Sequence, residues 1–584
     1  MSTLTRDVFA SAASSPHGLN VGTLADPVRL TWREVHEQAK RMAGCLAANG
    51  IGRHCSVAVL AAQAADVAPL AQATWMRGGA LTMLQQPTPR VDLAVWLDDT
   101  VRAIRMIRAD VVVVGEPFLM AMEQVAARMG VDTVVVCTVE SMRGAGPIEP
   151  EDTDEADIAM RQLTSGSAGI PKAVEISHAN LAANASSIRE ALSMDVDEDV
   201  MLSWLPLPHD MGMIAFICLP MQLGIESVVV TSDQFLRRPI VWAELISKYR
   251  ATITSGPNFS YPILARVLQR CDPDGPNAID LSSVRIACNG AEPVDHRDVE
   301  YFASVGARFG LRPTAPMPSY GLAEATLAVS FHAHDEPPSF DTVSRQAVSG
   351  AHRAQPVADD ADDAADVLHI VCLGAPLPGM GVRIIRDGMM QGPREIGGIE
   401  LRGAAIAGSY LTVDGVIPLA GEDGWFDTGD LGYLDEQGRM YVCGRTKDVI
   451  IVAGNNLYPH DIERAAATVD GVRKGCVIAL RVAAERGGAE REGFAVLAEV
   501  HNADEENVRL RISRDITARV NHHIGHAPRE VRLLPAGTLP KTSSGKLRRN
   551  SARELLHQAP RGADSTEATS KVTDTEPAAS IEAR

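Results

Sequence analysis

The chain has 584 residues, of which 46% are hydrophobic and 22% charged, and a formal net charge of −19. That much apolar material builds large cores and excludes wholesale disorder, and at about 150 residues per domain it allows three or four compact units. The acidic balance disfavours nucleic acid, or an anionic membrane, as a partner held through a broad basic field. Nine scattered cysteines with no CxxC spacing suggest neither a disulfide framework nor a zinc ribbon. The opening MSTLTRDVFASAASS lacks the order of a secretory signal, and the most membrane-like stretch, Met213–Val230, is interrupted by Gln222, Gly224 and Glu226. A cytoplasmic protein without an integral membrane segment is expected.

In chain order, Thr31 and Glu34 form a capping-box signature, with Val35, Ala39, Met42 and Leu46 on one helical face and Gly50 at its end. Short apolar runs follow at Ser56–Leu60, Leu81–Leu84, Val111–Val114 and Thr133–Val136, separated by helical segments. Continuous Val-rich runs alternating with amphipathic helices predict an α/β fold with buried, mostly parallel sheets. Residues 149–157 carry six acids and no base and read as a solvated linker. A second acidic run, Asp359–Asp366, reads as an exposed loop. Charge then changes sign: residues 447–557 hold 18 Lys and Arg against 14 Asp and Glu, whereas residues 1–446 carry a net −21. The predicted organisation is a large N-terminal domain over 1–446, a smaller α+β domain over 447–557, and a disordered tail over 558–584.

Five segments can carry chemistry. Thr164, Ser165, Gly166, Ser167 and Gly169, closed by Lys172, offer converging backbone donors, hydroxyls and one cation for phosphate; alone, such a segment is only a turn. It lacks the Walker A spacing. Ser319, Tyr320 and Gly321 precede Glu324, so that a flat ring for a purine is followed by a carboxylate suited to Mg²⁺. Gly424–Asp430 could hold ribose hydroxyls through Asp430. Gly444–Asp448 contains Arg445, and Leu539–Arg549 is a basic loop around Lys546.

The order of these segments resembles that of the adenylate-forming enzymes, a superfamily of acyl-CoA synthetases, luciferases, nonribosomal adenylation domains and fatty acyl-AMP ligases. The resemblance spans residues 25–555. Ser203–Gly212, Gly256–Tyr261, Asn289–Val294 and Gly454–Glu463 are most similar to the fatty acyl-AMP ligase branch. That branch carries an insertion in its large domain, for which residues 332–366 are the counterpart here. Two positions depart from the pattern: Ala168 stands where Thr is common and Ala173 where Gly is usual.

The resemblance implies that a fatty acid and ATP, with Mg²⁺, give acyl-adenylate and pyrophosphate. It makes Lys546 the catalytic cation, Glu324 the Mg²⁺ ligand and the segment Thr164–Lys172 the phosphate loop. It sets Tyr320 against one side of adenine and Asn289, Gly290 and Ala291 against the other. Asp430 and Arg445 would grip the ribose, and His209 would position groups beside the acyl tunnel. Asp448 would be the hinge about which the small domain rotates. The implied acceptor is an acyl carrier protein; coenzyme A is the alternative, and a non-catalytic acyl-adenylate binder is a third reading that intact Lys546, Glu324 and Asp430 disfavour. His522, His523 and His526 lack a Cys or carboxylate at metal-ligand spacing.

Overall fold

The computed structural model describes residues 1–88, 91–130, 134–165, 171–275, 278–357, 366–452, 455–486, 489–501, 505–541 and 547–557. Gly166, Ser167, Gly169, Lys546, most of the acidic run at 359–366 and the tail 558–584 lie outside the described residues.

The Thr31 hydroxyl accepts from the Glu34 amide while the Glu34 carboxylate accepts from the Thr31 amide, and helix Trp32–Ala48 follows with Val35, Ala39, Met42 and Leu46 buried. Strands Ser56–Leu60, Ala80–Met83, Val111–Val114 and Val135–Thr138 pair in parallel within an eight-stranded sheet. The first three are buried on both faces, so their runs are continuously apolar rather than alternating, whereas Val135 and Val136 at the sheet edge are exposed. A nine-stranded sheet contains the parallel strands Val200–Ser203, Glu226–Val229, Ile253–Pro257, Ile286–Gly290 and Pro316–Gly321. One hydrophobic core, including Trp32, Trp75, Trp204 and Trp242, runs between the two sheets. The stretch Met213–Val230 folds into short helical turns and one strand of this core. Among the described residues no helix is long and apolar enough to cross a membrane.

A five-stranded antiparallel sheet follows, in which Phe426–Leu434 pairs with Met440–Arg445. Beyond it the C-terminal domain has its own core: helices Pro459–Ala467 and Glu506–Ile524 cover a three-stranded sheet through Ile462, Ile512, Ile516, Val520, Phe494 and Val496. The large N-terminal and smaller C-terminal domains are thus separately packed.

Residues 149–157 are not a free linker. Glu149 pairs with Lys40, Glu151 with Arg77, and Asp154 and Asp157 with Arg53. Thr153 and Asp157 are buried. The acids in this segment therefore strap it to cations that composition alone could not place.

Candidate active site

Three neighbouring parallel strands, Ile253–Pro257, Ile286–Gly290 and Pro316–Gly321, end together, and their carboxyl ends deliver Asn258, Ala291 and Tyr320 to one crevice. Such carboxyl ends are where open α/β sheets bind ligands. The Asn289 amide donates to Asn258 Oδ1 (3.1 Å), Asn258 donates to Asp298 (2.7 Å), and Asn289 Oδ1 is buried without a partner. A Cβ on Gly290 would sit 2.5 Å from Ser319 Oγ, so only glycine allows these two strand ends to approach this closely. Ser319 Oγ donates to the Asn289 carbonyl at 3.2 Å, and Tyr320 and Gly321 sit at a register shift against Ala328–Phe331. Ala291 takes a left-handed conformation (φ 67°), a form of strain that collects at functional sites.

Asp430 lies opposite Arg445 in the antiparallel ladder. Arg445 Nε donates to its Oδ1 (2.9 Å) and the Tyr320 hydroxyl donates to its Oδ2 (2.6 Å), while Thr428 Oγ1 accepts from its amide (3.0 Å). Burial raises the Asp430 pKa, opposed by Arg445 and by the Tyr320 hydrogen bond. Asp430 itself, through its charge, raises the Arg445 pKa. The sequence motifs for the ring and for the ribose grip therefore meet, although they lie 110 residues apart.

The second cluster was only partly legible. Strands Ile158–Ser165 and Pro171–Ser177 pair so that Thr164 faces Lys172, which sets the two described ends of the phosphate segment side by side. Thr164 Oγ1 is buried and unpartnered. Lys172 Nζ lies 3.5 Å from Glu324 Oε1 and 3.5 Å from the centroid of the Tyr410 ring, and the Tyr410 hydroxyl donates to Glu324 at 2.6 Å. Burial lowers the Lys172 pKa, and Glu324 works against that shift. Glu324 sits on a 3₁₀ turn, Ala323–Ala325, rather than in a helix. Tyr410, on strand Ser409–Thr412, was not anticipated, since nothing adjacent to it in the sequence bears chemistry.

His209 caps the short helix Asp210–Met213, its Nδ1 2.6 Å from Asp210 Oδ1. The Gln162 side chain donates to the Pro208 carbonyl at 2.9 Å, tying this loop to the strand that leads into Thr164. Next to it, Trp204 stacks on Phe235 (ring centroids 3.8 Å apart) and meets Trp242 edge-on. Tyr320, Asp430 and Arg445, the Lys172–Glu324–Tyr410 cluster, His209, Trp204 and Phe235 line one continuous cavity of about 3220 Å³. Leu547 and Arg548, next to Lys546 in the chain, line it as well. Arg549 pairs with Glu463 through Nη2 (2.9 Å) and reaches Asp448 Oδ2 at 3.6 Å, so the expected hinge residue and the expected catalytic loop share a tether.

Mg²⁺ takes carboxylate oxygen together with phosphate and water, so a single carboxylate in a phosphate site suffices. Glu324 fits this, with one oxygen engaged by Tyr410 and Lys172; among the described residues no group of three or more ligating side chains gathers elsewhere.

A crevice at strand ends with a buried carboxylate and a separate cationic corner has the make-up of a site for a nucleotide. The family model for AMP-binding enzymes matches residues 10–411, and the chain belongs to that family. It is 46% identical to the putative ligase Rv1013 of Mycobacterium tuberculosis over 95% of this chain and all of that one. It is 34% identical to the medium-chain-fatty-acid–[acyl-carrier-protein] ligase JamA of Moorena producens, over 69% of this chain and 68% of that protein. Its fold matches a solved fatty acyl-adenylate ligase, from a study of the E. coli and L. pneumophila enzymes, with a TM-score of 0.85 and 27% identity, covering 95% of this chain and 97% of the other.

Proposed function

We propose that the protein activates a fatty acid with ATP to acyl-adenylate and pyrophosphate, then passes the acyl group to the phosphopantetheine thiol of an acyl carrier protein. The observation that carries this reading is the continuity of one cavity from the Tyr320–Asp430–Arg445 cluster, past Lys172 and Glu324, to the apolar wall at Trp204 and Phe235. A nucleotide and a long apolar acid can meet there. Similarity to a ligase named for fatty acids and carrier proteins supports the same reading.

A carboxylate is a poor electrophile because it would have to expel oxide. In the first step its oxygen bonds to the α-phosphorus, and the bond from that phosphorus to the bridging oxygen breaks, releasing pyrophosphate. Both reactants are anions, so cations must sit where they meet. Lys546 fills that role at the α-phosphate, an effect typically worth a few kcal/mol of barrier. Lys172, with Thr164, Ser165, Gly166, Ser167 and Gly169, holds the terminal phosphates. Glu324 would hold Mg²⁺, which supplies charge neutralisation at the triphosphate. Tyr320 and the Asn289–Ala291 segment enclose the adenine, Asp430 and Arg445 hold the ribose, and His209 fixes the loop at the acyl end. In the second step the thiol sulfur attacks the acyl carbonyl, AMP departs, and the thiol proton is lost.

The lobe boundary at 446/447, the hinge at Asp448 and the tail beyond 557 belong to the same proposal: the small domain carries Lys546 in for adenylation and out for transfer. Carrier protein rather than coenzyme A is favoured by the segment 332–366. Its Val343 and Val348 share a buried cluster with Tyr458, Arg345 lies 3.4 Å from Asp461, and His352 meets Asn456. These contacts would restrain the rotation that CoA use requires. Nine unpaired cysteines fit a reducing, cytoplasmic compartment.

The test is a product assay by mass spectrometry with ATP, Mg²⁺ and a panel of fatty acids, with coenzyme A or a holo acyl carrier protein. Acyl-AMP and acyl-carrier without acyl-CoA are expected; efficient acyl-CoA synthesis would overturn the carrier assignment. Lys546→Ala should abolish adenylate formation and leave ATP binding measurable, and wild-type rates in that variant would overturn its role.

A further inference from the structure

The small domain presents one surface that the reaction does not use. Helix Glu506–Ile524 buries Ile512, Ile516, Val520 and Ile524 on one side. Its opposite side carries Leu510, Arg511, Arg514, Ala518, Asn521 and His522, all exposed, with Leu510 at 64%. Residues 510, 511, 514, 518, 521 and 522 follow i, i+3, i+4 spacing and so form one face. Neither Arg511 nor Arg514, nor Arg519 at the edge of that face, enters an ion pair or hydrogen bond among the described residues. Asp515 and the terminal Glu505 and Glu506 bound the patch.

Two further observations give the patch a direction. Just past the C-terminal end of the helix, His526 meets Asn455 of the same domain at 3.4 Å. Burial first, and then the charges of His522 and Arg519 on its own helix and of Arg345 and Arg297 in the large domain, lower the His523 pKa. Arg297 lines the cavity. Cationic groups therefore stand on the exposed face and beside the cleft, where Asp295 and Asp298 line the cavity as well. The chain as a whole is at −19, so an acidic partner is repelled over most of the surface and attracted here.

We infer that the Leu510–Arg511–Arg514–His522 face of helix Glu506–Ile524 is the docking surface for an acidic acyl carrier protein, with Leu510 as its apolar anchor. This rests on the carrier reading given above. Unpaired arginines around one exposed leucine match a partner helix whose acids surround a hydrophobic residue, and such complementarity acts mainly on encounter and orientation.

The test uses the full chain and a free-standing acidic holo acyl carrier protein. Adenylation is read by hydroxylamine trapping without carrier, and transfer by acyl-carrier formation against carrier concentration. For Arg511→Glu/Arg514→Glu, adenylation is expected within twofold of wild type, while kcat/KM for the carrier falls roughly tenfold, through KM, and loses salt dependence. Arg511→Lys/Arg514→Lys should restore wild-type transfer, and Leu510→Ala should weaken it with less salt sensitivity. An unchanged carrier KM in the Glu variant would overturn the docking surface while leaving the carrier reading intact. Wild-type enzyme that acylates coenzyme A but no carrier would instead overturn the carrier reading, and the surface with it. Co-sedimentation with anionic phosphatidylglycerol vesicles that the Glu variant loses, with carrier kinetics unmoved, would reassign the face to a membrane surface.

Discussion

The two ends of the cleft are built differently. At the proposed adenosine end, Asp430 is buried on a strand, its amide is held by Thr428, and its two oxygens are held by Arg445 and Tyr320. All of these groups stand on regular ladders or at strand ends, so the geometry exists before any ligand arrives. At the proposed triphosphate end, Lys172 and Tyr410 come from two paired strands and Glu324 from a 3₁₀ turn, and they satisfy one another. On the proposed reading, Lys172 would give up part of its contact with Glu324 to a phosphate, and Glu324 would offer an oxygen to the metal. One end is thus a preformed socket and the other a set of contacts that the ligand replaces. Burial pushes Asp430 up and Lys172 down, so both ends are displaced toward neutrality from opposite sides.

The largest expected effect is at the replaceable end. Glu324→Gln keeps the shape and an acceptor for Tyr410 but removes the charge, and should lower kcat for pyrophosphate release about a hundredfold. Mg²⁺ titration is the decisive measurement: half-saturation should move to higher Mg²⁺, and an unchanged value would mean that Glu324 does not hold the metal. At the preformed end, Asp430→Asn should raise KM for ATP by roughly ten- to a hundredfold with a smaller change in kcat, as expected when a charge-assisted contact made in both ground and transition states is lost. A loss confined to kcat would break the contrast between the two ends.

The pH dependence of KM for ATP sharpens the comparison. On the proposed reading Asp430 would need its charge to hold the ribose, and its raised pKa brings protonation in at a higher pH than for an ordinary carboxylate. Binding should therefore weaken as pH falls through that value. Lys172 would likewise need its charge to hold phosphate, and its lowered pKa brings deprotonation in below the ordinary lysine range, so binding should also weaken as pH rises through it. Asp430→Asn should remove the acid limb alone, and Lys172→Arg should move the alkaline limb upward because a guanidinium does not deprotonate.

How much of this was readable in the sequence follows the same division. Parallel strands, the capped helix at Trp32–Ala48 and the Asp430–Arg445 pair were legible, because each depends on local periodicity or on motifs with a fixed role. The strap at 149–157 was not, because its acids are neutralised by Lys40, Arg53 and Arg77, which are adjacent only after folding. Tyr410 escaped for the same reason: it reaches Glu324 through the pairing of strand Ser409–Thr412 with Pro171–Ser177, which no local pattern announces. The tether from Arg549 to Asp448 and Glu463 likewise joins three motifs whose proximity is set by the small domain's own core.

The smallest expected effect separates the two things Tyr410 does. Tyr410→Phe deletes the hydroxyl that donates to Glu324 and keeps the ring beneath Lys172. Since bound nucleotide and metal would compete for that Glu324 oxygen, the hydrogen bond stabilises the free enzyme rather than the complex, and KM for ATP should stay unchanged or fall by no more than about threefold. Tyr410→Ala also removes the cation–π contact, worth about 0.5–2 kcal/mol depending on desolvation, and leaves Lys172 free to move, so KM should rise roughly five- to tenfold. The ring would then be the part that fixes the lysine in place, and the hydroxyl only a lodging for Glu324 until a ligand takes it. Equal effects of Phe and Ala would reverse that assignment, making the hydrogen bond to Glu324 part of the preformed socket and erasing the distinction between the two ends.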